Sequence, residues 1–126
     1  MIKDDLIESD WSEEDRRAYE RYSVEFYLCV YNRDTGILIG HVVDISLGGI
    51  QLLSEVLIAD DDSIRLRMDV SLESGKKDII EFEARKIWQA EDLNPGFYNT
   101  GFQFLDLSLA AVNSVQAIIN EIDASL

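Results

Sequence analysis

Hydrophobic and polar residues alternate along most of the chain with a period of two, which is the pattern of strands that bury one face. The alternating segments are residues 23–31, 37–46, a short segment ending at Leu53, residues 64–70, residues 79–88 and Gly101–Phe104. Turn residues separate these segments, most clearly residues 32–36, Gly75-Lys76-Lys77 and Asn94-Pro95-Gly96. The pattern therefore predicts six antiparallel strands.

The period changes near the end of the chain. After Ser108, which is suited to cap a helix N-terminus, apolar residues recur at spacings of three and four. These positions are Leu109, Val112, Val115, Ile119 and Ile122. They predict one amphipathic helix over residues 109–123. The expected fold is therefore all-β with a C-terminal helix, in which a six-stranded antiparallel β-barrel has the helix packed over one opening.

Length and composition agree with a single folded domain. A chain of 126 residues fits one domain, and 47% hydrophobic with 29% charged residues is ordinary globular usage. We expect residues 1–14 to form an acidic N-terminal tail. Residues 15–126 are then expected to form the barrel domain, including its helix.

Simple counts exclude several kinds of site. One cysteine, Cys29, cannot form a disulfide within the chain, and with the single histidine, His41, it cannot supply a tetrahedral zinc site. The apolar runs are far shorter than the roughly 20 residues that span a bilayer, and the acidic first residues are unlike a signal peptide. We therefore expect a cytoplasmic protein with no metal, no cofactor and no membrane insertion.

The charge is strongly acidic but unevenly distributed. A net charge of −14 disfavours DNA or RNA as a partner, because such binding depends on neutralising phosphates with Lys and Arg. The exception to the acidic balance is a short segment that holds Arg16, Arg17 and Arg21 beside Glu20. A guanidinium is a flat set of charged donors that bonds phosphate oxygens or the O6/N7 edge of guanine. This segment is a candidate site for an anionic ligand.

A second cluster, Asp44-Ile45-Ser46-Leu47-Gly48-Gly49, lies at the end of the second predicted strand. Residues two apart on a strand share a face, so Asp44 and Ser46 would offer a carboxylate beside a hydroxyl. A carboxylate accepts the N1 and N2 hydrogens of guanine, and the two glycines permit a tight turn and close approach of the ligand. The two clusters together suit a guanine nucleotide.

The two clusters resemble the motifs of the PilZ domain family, bacterial receptors of cyclic di-guanylate (c-di-GMP). The Arg-x-x-x-Arg motif is present as Arg17 to Arg21, preceded by Arg16, and the Asp-x-Ser-x-x-Gly motif as Asp44 to Gly49. The resemblance covers roughly residues 15–122. It implies a six-stranded barrel that is not an enzyme. Such a barrel binds c-di-GMP and signals to an unidentified partner protein controlling motility, biofilm or exopolysaccharide.

The resemblance also implies roles for individual residues. The implied ligand-binding residues are Arg16, Arg17, Arg21, Asp44, Ser46, Gly48, Gly49 and Trp88. The arginines would contact phosphates and guanine edges, and the carboxylate and hydroxyl would hold the other face of a guanine. The glycines would allow the close approach, and the tryptophan would pack on the ligand. Asp15 and Glu20, which lie beside two of the arginines, would weaken affinity.

Each of these features also has a structural interpretation. An arginine cluster is usually a solvated surface, and Asp44-x-Ser46 before two glycines is also typical of a common turn with an Asx-type hydrogen bond. Trp88 suits a hydrophobic core equally well. A related functional alternative is a PilZ-fold interaction module of pilus or motility machinery that does not bind nucleotide.

A hydrolase is the third functional class. It would use Ser46 with His41 and Asp44, but strict alternation predicts that His41 lies on the opposite face of the strand from the other two. The chain also lacks the Gly-x-Ser-x-Gly nucleophile elbow. We therefore expect a protein that is not an enzyme.

Overall fold

The computed structural model of the chain describes residues 20–24, 28–59, 63–72 and 75–124. Within these ranges the chain forms seven strands and one helix. They are β1 (Tyr22–Ser23), β2 (Cys29–Asn32), β3 (Leu38–Ile45), β4 (Gly49–Ser54), β5 (Ile64–Ser71), β6 (Lys77–Glu91), β7 (Tyr98–Leu105) and α1 (Leu109–Ala124). The first predicted strand, residues 23–31, thus corresponds to β1 and β2, and residues 25–27 between them lie outside the described ranges. The predicted boundary at residue 15 lies outside them as well.

Six of these strands close into an antiparallel barrel. The order around it is β3-β2-β5-β6-β7-β4, and β4 pairs again with β3. The short β1 pairs with the C-terminal end of β3, next to the part of β3 that pairs with β2. Closure leaves these six strands without a free edge, which removes the unpaired backbone groups that favour aggregation. The predicted six-stranded antiparallel barrel with a C-terminal helix is therefore confirmed.

The barrel interior is filled by the alternating apolar residues of the strands. The largest wholly or almost wholly buried side chains are Leu28, Val30, Val42, Ile45, Leu52, Leu66, Met68, Val115 and Ile118. Burying such side chains supplies most of the stability of a domain of this size, at about 1.5–3 kcal/mol for each large side chain. Both the strands and the helix contribute to one core.

The helix α1 packs against β6 and β1 and begins where the sequence predicts. The Ser108 hydroxyl accepts a hydrogen bond from the backbone N–H of Ala111 at 3.1 Å, as expected of an N-cap residue. The buried face of the helix is formed by Ala111, Val115, Ile118, Ile119 and Ile122. Leu109, which we expected on this face, is 77% exposed, because it lies outside the stripe that meets the barrel.

A β-bulge in β3 changes which side chains face outward. Val42 and Asp44 pair with consecutive residues of β4, so Val43 is an extra residue in β3. Val42 is buried, so strict alternation would place the Asp44 side chain in the barrel interior as well. The bulge instead places Asp44 on the outer face and Ile45 in the interior. Consequently His41 and Asp44 share the outer face, and the expectation that they lie on opposite faces is wrong.

A second bulge acts in the same way on β6. Ile80, Phe82 and Ala84 point into the barrel, so regular alternation would bury Trp88 as well. Lys86 and Trp88 pair with consecutive residues of β7, which makes Ile87 the extra residue. The bulge therefore brings Trp88 to the outer face of the barrel.

Candidate functional site

The outer faces of four adjacent strands form the floor of the candidate site. Asp44 of β3 pairs with Gln51 of β4, and Gln51 pairs with Gly101 of β7. Gly101 in turn pairs with Trp88 of β6. Residues directly opposite each other in antiparallel strands project from the same face. One row across the barrel surface thus holds a carboxylate, an amide and an indole.

A pocket of about 330 Å³ lies over this row. Six of the eight predicted ligand-binding residues line it, namely Arg21, Asp44, Ser46, Gly48, Gly49 and Trp88. The other two, Arg16 and Arg17, lie outside the described residues. The volume falls within the range of small-molecule sites, at its lower end. The structure therefore brings together the two sequence motifs, as far as it describes them, and adds the tryptophan.

Arg21 and Asp44 form an ion pair at the pocket. The Arg21 Nε atom lies 3.0 Å from Asp44 Oδ2. Burial raises the pKa of the Asp44 carboxyl, although the charge of Arg21 and its hydrogen bond act in the opposite direction. The second oxygen, Oδ1, is buried and has no hydrogen-bond partner in the part of the chain that the structure describes. Because a buried acceptor without a donor is unfavourable, a ligand N–H at this position would satisfy it.

Ser46 closes the turn between β3 and β4. Its hydroxyl oxygen accepts hydrogen bonds from the backbone N–H groups of Gly48 at 3.1 Å and Gly49 at 3.2 Å. Its own backbone N–H donates to the Gly49 carbonyl at 2.9 Å. A Cβ on Gly49 would lie 2.0 Å from the Phe102 carbonyl oxygen, so this glycine allows β7 to approach closely. The motif therefore forms a turn, but its side-chain hydrogen bonds are made by Ser46 and not, as in an Asx turn, by Asp44.

Trp88 lies on Gly101. A Cβ atom on Gly101 would be 2.2 Å from Trp88 Nε1 and 2.6 Å from its Cε2, so only glycine leaves room for the indole here. Trp88 remains 39% exposed and lines the pocket. The alternative that places Trp88 in the barrel core is therefore wrong. An indole supported from behind and open to a pocket is a suitable stacking surface for a flat ligand.

Three polar residues that the sequence analysis did not select extend the site along the barrel surface. Gln51 Oε1 accepts a hydrogen bond from Arg21 Nη2 at 3.2 Å, and Gln51 Nε2 donates to Asn99 Oδ1 at 3.1 Å. Asn99 Nδ2 donates to Asp92 Oδ1 at 2.7 Å. Hydrogen bonds from Asn99 and from the Asn94 backbone lower the pKa of Asp92. In the sequence these three residues belong to no motif and are distinguished only by being polar.

Comparison with known protein families identifies the fold that carries this site. The PilZ domain model matches residues 15–121, which is most of the chain. The chain belongs to the PilZ domain family. PilZ domains are non-catalytic c-di-GMP receptor domains, and this agrees with the expectation that the chain is not an enzyme.

Solved PilZ structures share the fold. The PilZ domain of Escherichia coli YcgR with c-di-GMP is 21% identical, with a TM-score of 0.66 over 87% of this chain and 93% of that one. Bacillus subtilis MotI/DgrA, an inhibitor of motility, is 19% identical, with a TM-score of 0.65 over 83% of this chain and 50% of that one. E. coli YcgR in complex with c-di-GMP is 23% identical, with a TM-score of 0.61 over 87% and 47%. This chain thus spans about half of the two longer proteins. No curated protein matches it.

The described residues of this PilZ domain give little support to a metal site, a hydrolase or a membrane-spanning helix. They include no group of three His, Cys, Asp or Glu side chains placed to hold a metal ion. Cys29 and His41 are paired on the outer face of β2 and β3, but neither lines the pocket. The Ser46 hydroxyl is engaged in the turn. None of the described helices is long and apolar enough to cross a membrane.

Proposed function

We propose that this PilZ domain is a c-di-GMP receptor whose ligand occupies the pocket between Arg21, Asp44 and Trp88. The observation that carries the proposal is the meeting of three complementary groups in one pocket: a guanidinium, a carboxylate with an oxygen that no described residue satisfies, and an exposed indole. Family membership supplies the ligand class. The structures of YcgR with c-di-GMP support the same assignment.

Each group has a defined role in the proposal. The N–H groups of Arg21 that face away from the ion pair bind phosphate oxygens or the O6/N7 edge of a guanine. Asp44 Oδ1 accepts a hydrogen bond from the N1 or N2 of a guanine, and Trp88 stacks on a base. Arg16 and Arg17 add phosphate contacts. Ser46, Gly48 and Gly49 shape the turn that the ligand approaches.

These contacts account for micromolar affinity. Charge-assisted hydrogen bonds contribute about 1.5–3 kcal/mol each, and stacking of a base on an aromatic ring about 1–3 kcal/mol. A Kd of 1 μM corresponds to about 8.2 kcal/mol. Four such contacts near the upper end of these ranges, about 12 kcal/mol in total, reach that value after about 4 kcal/mol offsets the loss of freedom on association. We therefore expect a Kd in the micromolar range.

The proposed receptor passes its signal to a partner protein and does not catalyse a reaction. We propose that ligand binding changes the surface around the pocket and that a downstream protein of motility, biofilm or exopolysaccharide control reads this change. MotI/DgrA, an inhibitor of motility, supports an output in motility. The net charge of −14 argues against DNA or RNA as that partner. A cytoplasmic location is part of the proposal, and the free Cys29 agrees with it.

Isothermal titration calorimetry with c-di-GMP tests the proposal. We expect saturable binding by the wild type and at least tenfold weaker binding by Arg21→Ala and Trp88→Ala. Arg65→Ala is the matched control, because Arg65 forms an ion pair with Asp34 that does not line the pocket. Binding by this control should equal that of the wild type. If the wild type releases no heat at tens of micromolar ligand, the receptor proposal is wrong and the interaction module without nucleotide is favoured.

A further inference from the structure

Two acceptors fix the orientation of the Arg21 guanidinium. Its Nε forms the ion pair with Asp44 and an Nη2–H donates to Gln51, so both contacts lie along one edge of the planar group. The acceptors are direct neighbours across β3 and β4. The three remaining N–H groups have no acceptor among the residues that the structure describes. They form the outer part of the guanidinium, where a bidentate ligand would bind.

Gln51 can accept from Arg21 only if its amide is turned the right way. Its Nε2 donates to Asn99 Oδ1, and Asn99 Nδ2 donates to Asp92 Oδ1, which fixes both amides in one orientation. A reversed Gln51 amide would direct its N–H groups at the guanidinium and its oxygen at the Asn99 oxygen, and both contacts are repulsive. Asp92 is acceptor-only and charged, and its second oxygen accepts from the Asn94 backbone N–H. Asp92 therefore determines which residue donates and which accepts along the chain of hydrogen bonds from Arg21 to Asp92.

We propose that Gln51 is a positioning residue of the nucleotide site, which holds the Arg21 guanidinium with its free edge towards the ligand while Asn99 and Asp92 hold Gln51. The inference rests on the proposed function and adds to it residues outside both motifs. Gln51 does not need to touch the nucleotide. Its effect on affinity passes through Arg21, because an arginine already held in its binding orientation loses less conformational freedom when the ligand arrives.

A double-mutant cycle on c-di-GMP affinity tests this coupling. Gln51→Met keeps the length of the side chain and removes the acceptor, so we expect Kd to rise by about two- to tenfold, the effect of having to order one more side chain on binding. In the Arg21→Ala background the same substitution should leave Kd unchanged, because the guanidinium that Gln51 positions is absent. Equal losses in the two backgrounds, or no loss in either, would overturn the proposal.

Two further variants separate positioning from general damage. Gln116→Met is the matched control, because the Gln116 amide donates to Asn120 on α1 and lines no part of this pocket. It should leave Kd unchanged. Asp92→Asn keeps the shape of the last side chain but removes the charge that orients the amides. We expect it to raise Kd two- to threefold in the wild type and not at all in Gln51→Met; additive losses would count against the chain of hydrogen bonds.

A measurement without nucleotide distinguishes failure of this inference from failure of the receptor proposal. ¹⁵N relaxation of the Arg21 Nε–Hε group in the ligand-free protein reports how firmly the guanidinium is held. We expect its order parameter to fall in Gln51→Met and to stay unchanged in Gln116→Met. If Arg21 is equally ordered in both, Gln51 does not position it. If the order falls but the wild type binds no c-di-GMP, only the receptor proposal fails.

Discussion

The Arg21–Asp44 pair combines a charge that is exposed with one that is partly buried. Arg21 reaches the solvent, whereas Asp44 is held against the barrel wall, and one of its oxygens has no donor among the residues that the structure describes. Burial disfavours the charged form of Asp44 and raises its pKa above the ordinary value. Protonation removes the negative charge and turns one carboxylate oxygen into a donor, so the protonation state of Asp44 links the pocket to pH.

We predict that c-di-GMP affinity falls as the pH is lowered from neutrality into the acid range. Since the Asp44 pKa is raised, protonation begins at a higher pH than for a free aspartate. It then removes the acceptor for guanine and the ion pair with Arg21. Calorimetric titrations at several pH values would measure this. Asp44→Asn should bind weakly, with little dependence on pH over the same interval. An equally steep dependence in that variant would assign the titration to another group.

The contact between Trp88 and Gly101 gives a second prediction at the residue scale. Gly101→Ala introduces a methyl group where the indole lies, so the ring must move. Such overpacking commonly destabilises a protein by about 1–3 kcal/mol. We expect a lower urea midpoint and a Kd for c-di-GMP raised severalfold. In a Trp88→Ala background, Gly101→Ala should no longer change Kd. A similar loss without the tryptophan would show that the glycine acts in another way.

At the scale of elements, periodicity predicts the strands and the helix but not the two bulges. A bulge is defined by the pairing of two strands, and the extra residues, Val43 and Ile87, look like ordinary apolar strand residues. Yet these bulges decide that Asp44 and Trp88 face the pocket. The sequence motif selected Asp44, which lines the pocket, whereas the strict alternation used to assign faces placed His41 wrongly.

Predictability also differs among the remaining site residues. Arg21, Asp44 and the Ser46 turn follow from motifs whose residue types suit a guanine nucleotide. Gln51 and Asn99 do not, because their role depends on which strands become neighbours when the barrel closes. Each is an ordinary polar residue facing outward. Hydrogen bonds between strands distant in sequence become visible only in the folded protein.

The turn between β3 and β4 allows a prediction that separates stability from binding. Ser46→Ala removes the acceptor of two backbone N–H groups, so we expect the free energy of unfolding to fall by about 1–3 kcal/mol. Equilibrium urea unfolding would measure it. Ser63→Ala is the control, since the Ser63 hydroxyl bonds Glu83 at the exposed surface, and its effect should stay within about 0.5 kcal/mol. If the two variants are equally stable, the turn does not depend on Ser46.

At the scale of the whole molecule, the acidic charge is concentrated at the beginning of the chain. Residues 1–15 carry seven acidic residues and one lysine. The PilZ match begins at residue 15, so the predicted tail precedes the part of the chain that resembles the family. Charge complementarity governs the rate and selectivity of association more than folding. We therefore propose that the predicted tail acts in partner selection and not in folding of the barrel or in ligand binding.

Deletion of residues 1–14 tests whether the tail is separate from the folded barrel and its ligand site. We expect the shortened chain to keep the thermal unfolding midpoint within a few degrees and the same Kd for c-di-GMP, because no predicted ligand contact is removed. Differential scanning calorimetry and ligand titration would measure both. A chain that unfolds at much lower temperature, or that loses ligand affinity, would place these residues inside the folded domain.

We propose that c-di-GMP binds on the outer face of the barrel between Arg21 and Trp88. The most direct measurement is a titration of ¹⁵N-labelled protein with c-di-GMP, followed through the Arg21 Nε–Hε and Trp88 indole N–H signals. Both signals should shift in a saturable way, while the Nε–Hε signal of Arg65 stays unchanged. If the two signals do not move at a saturating excess of ligand, or if only distant residues respond, the site is not where we place it.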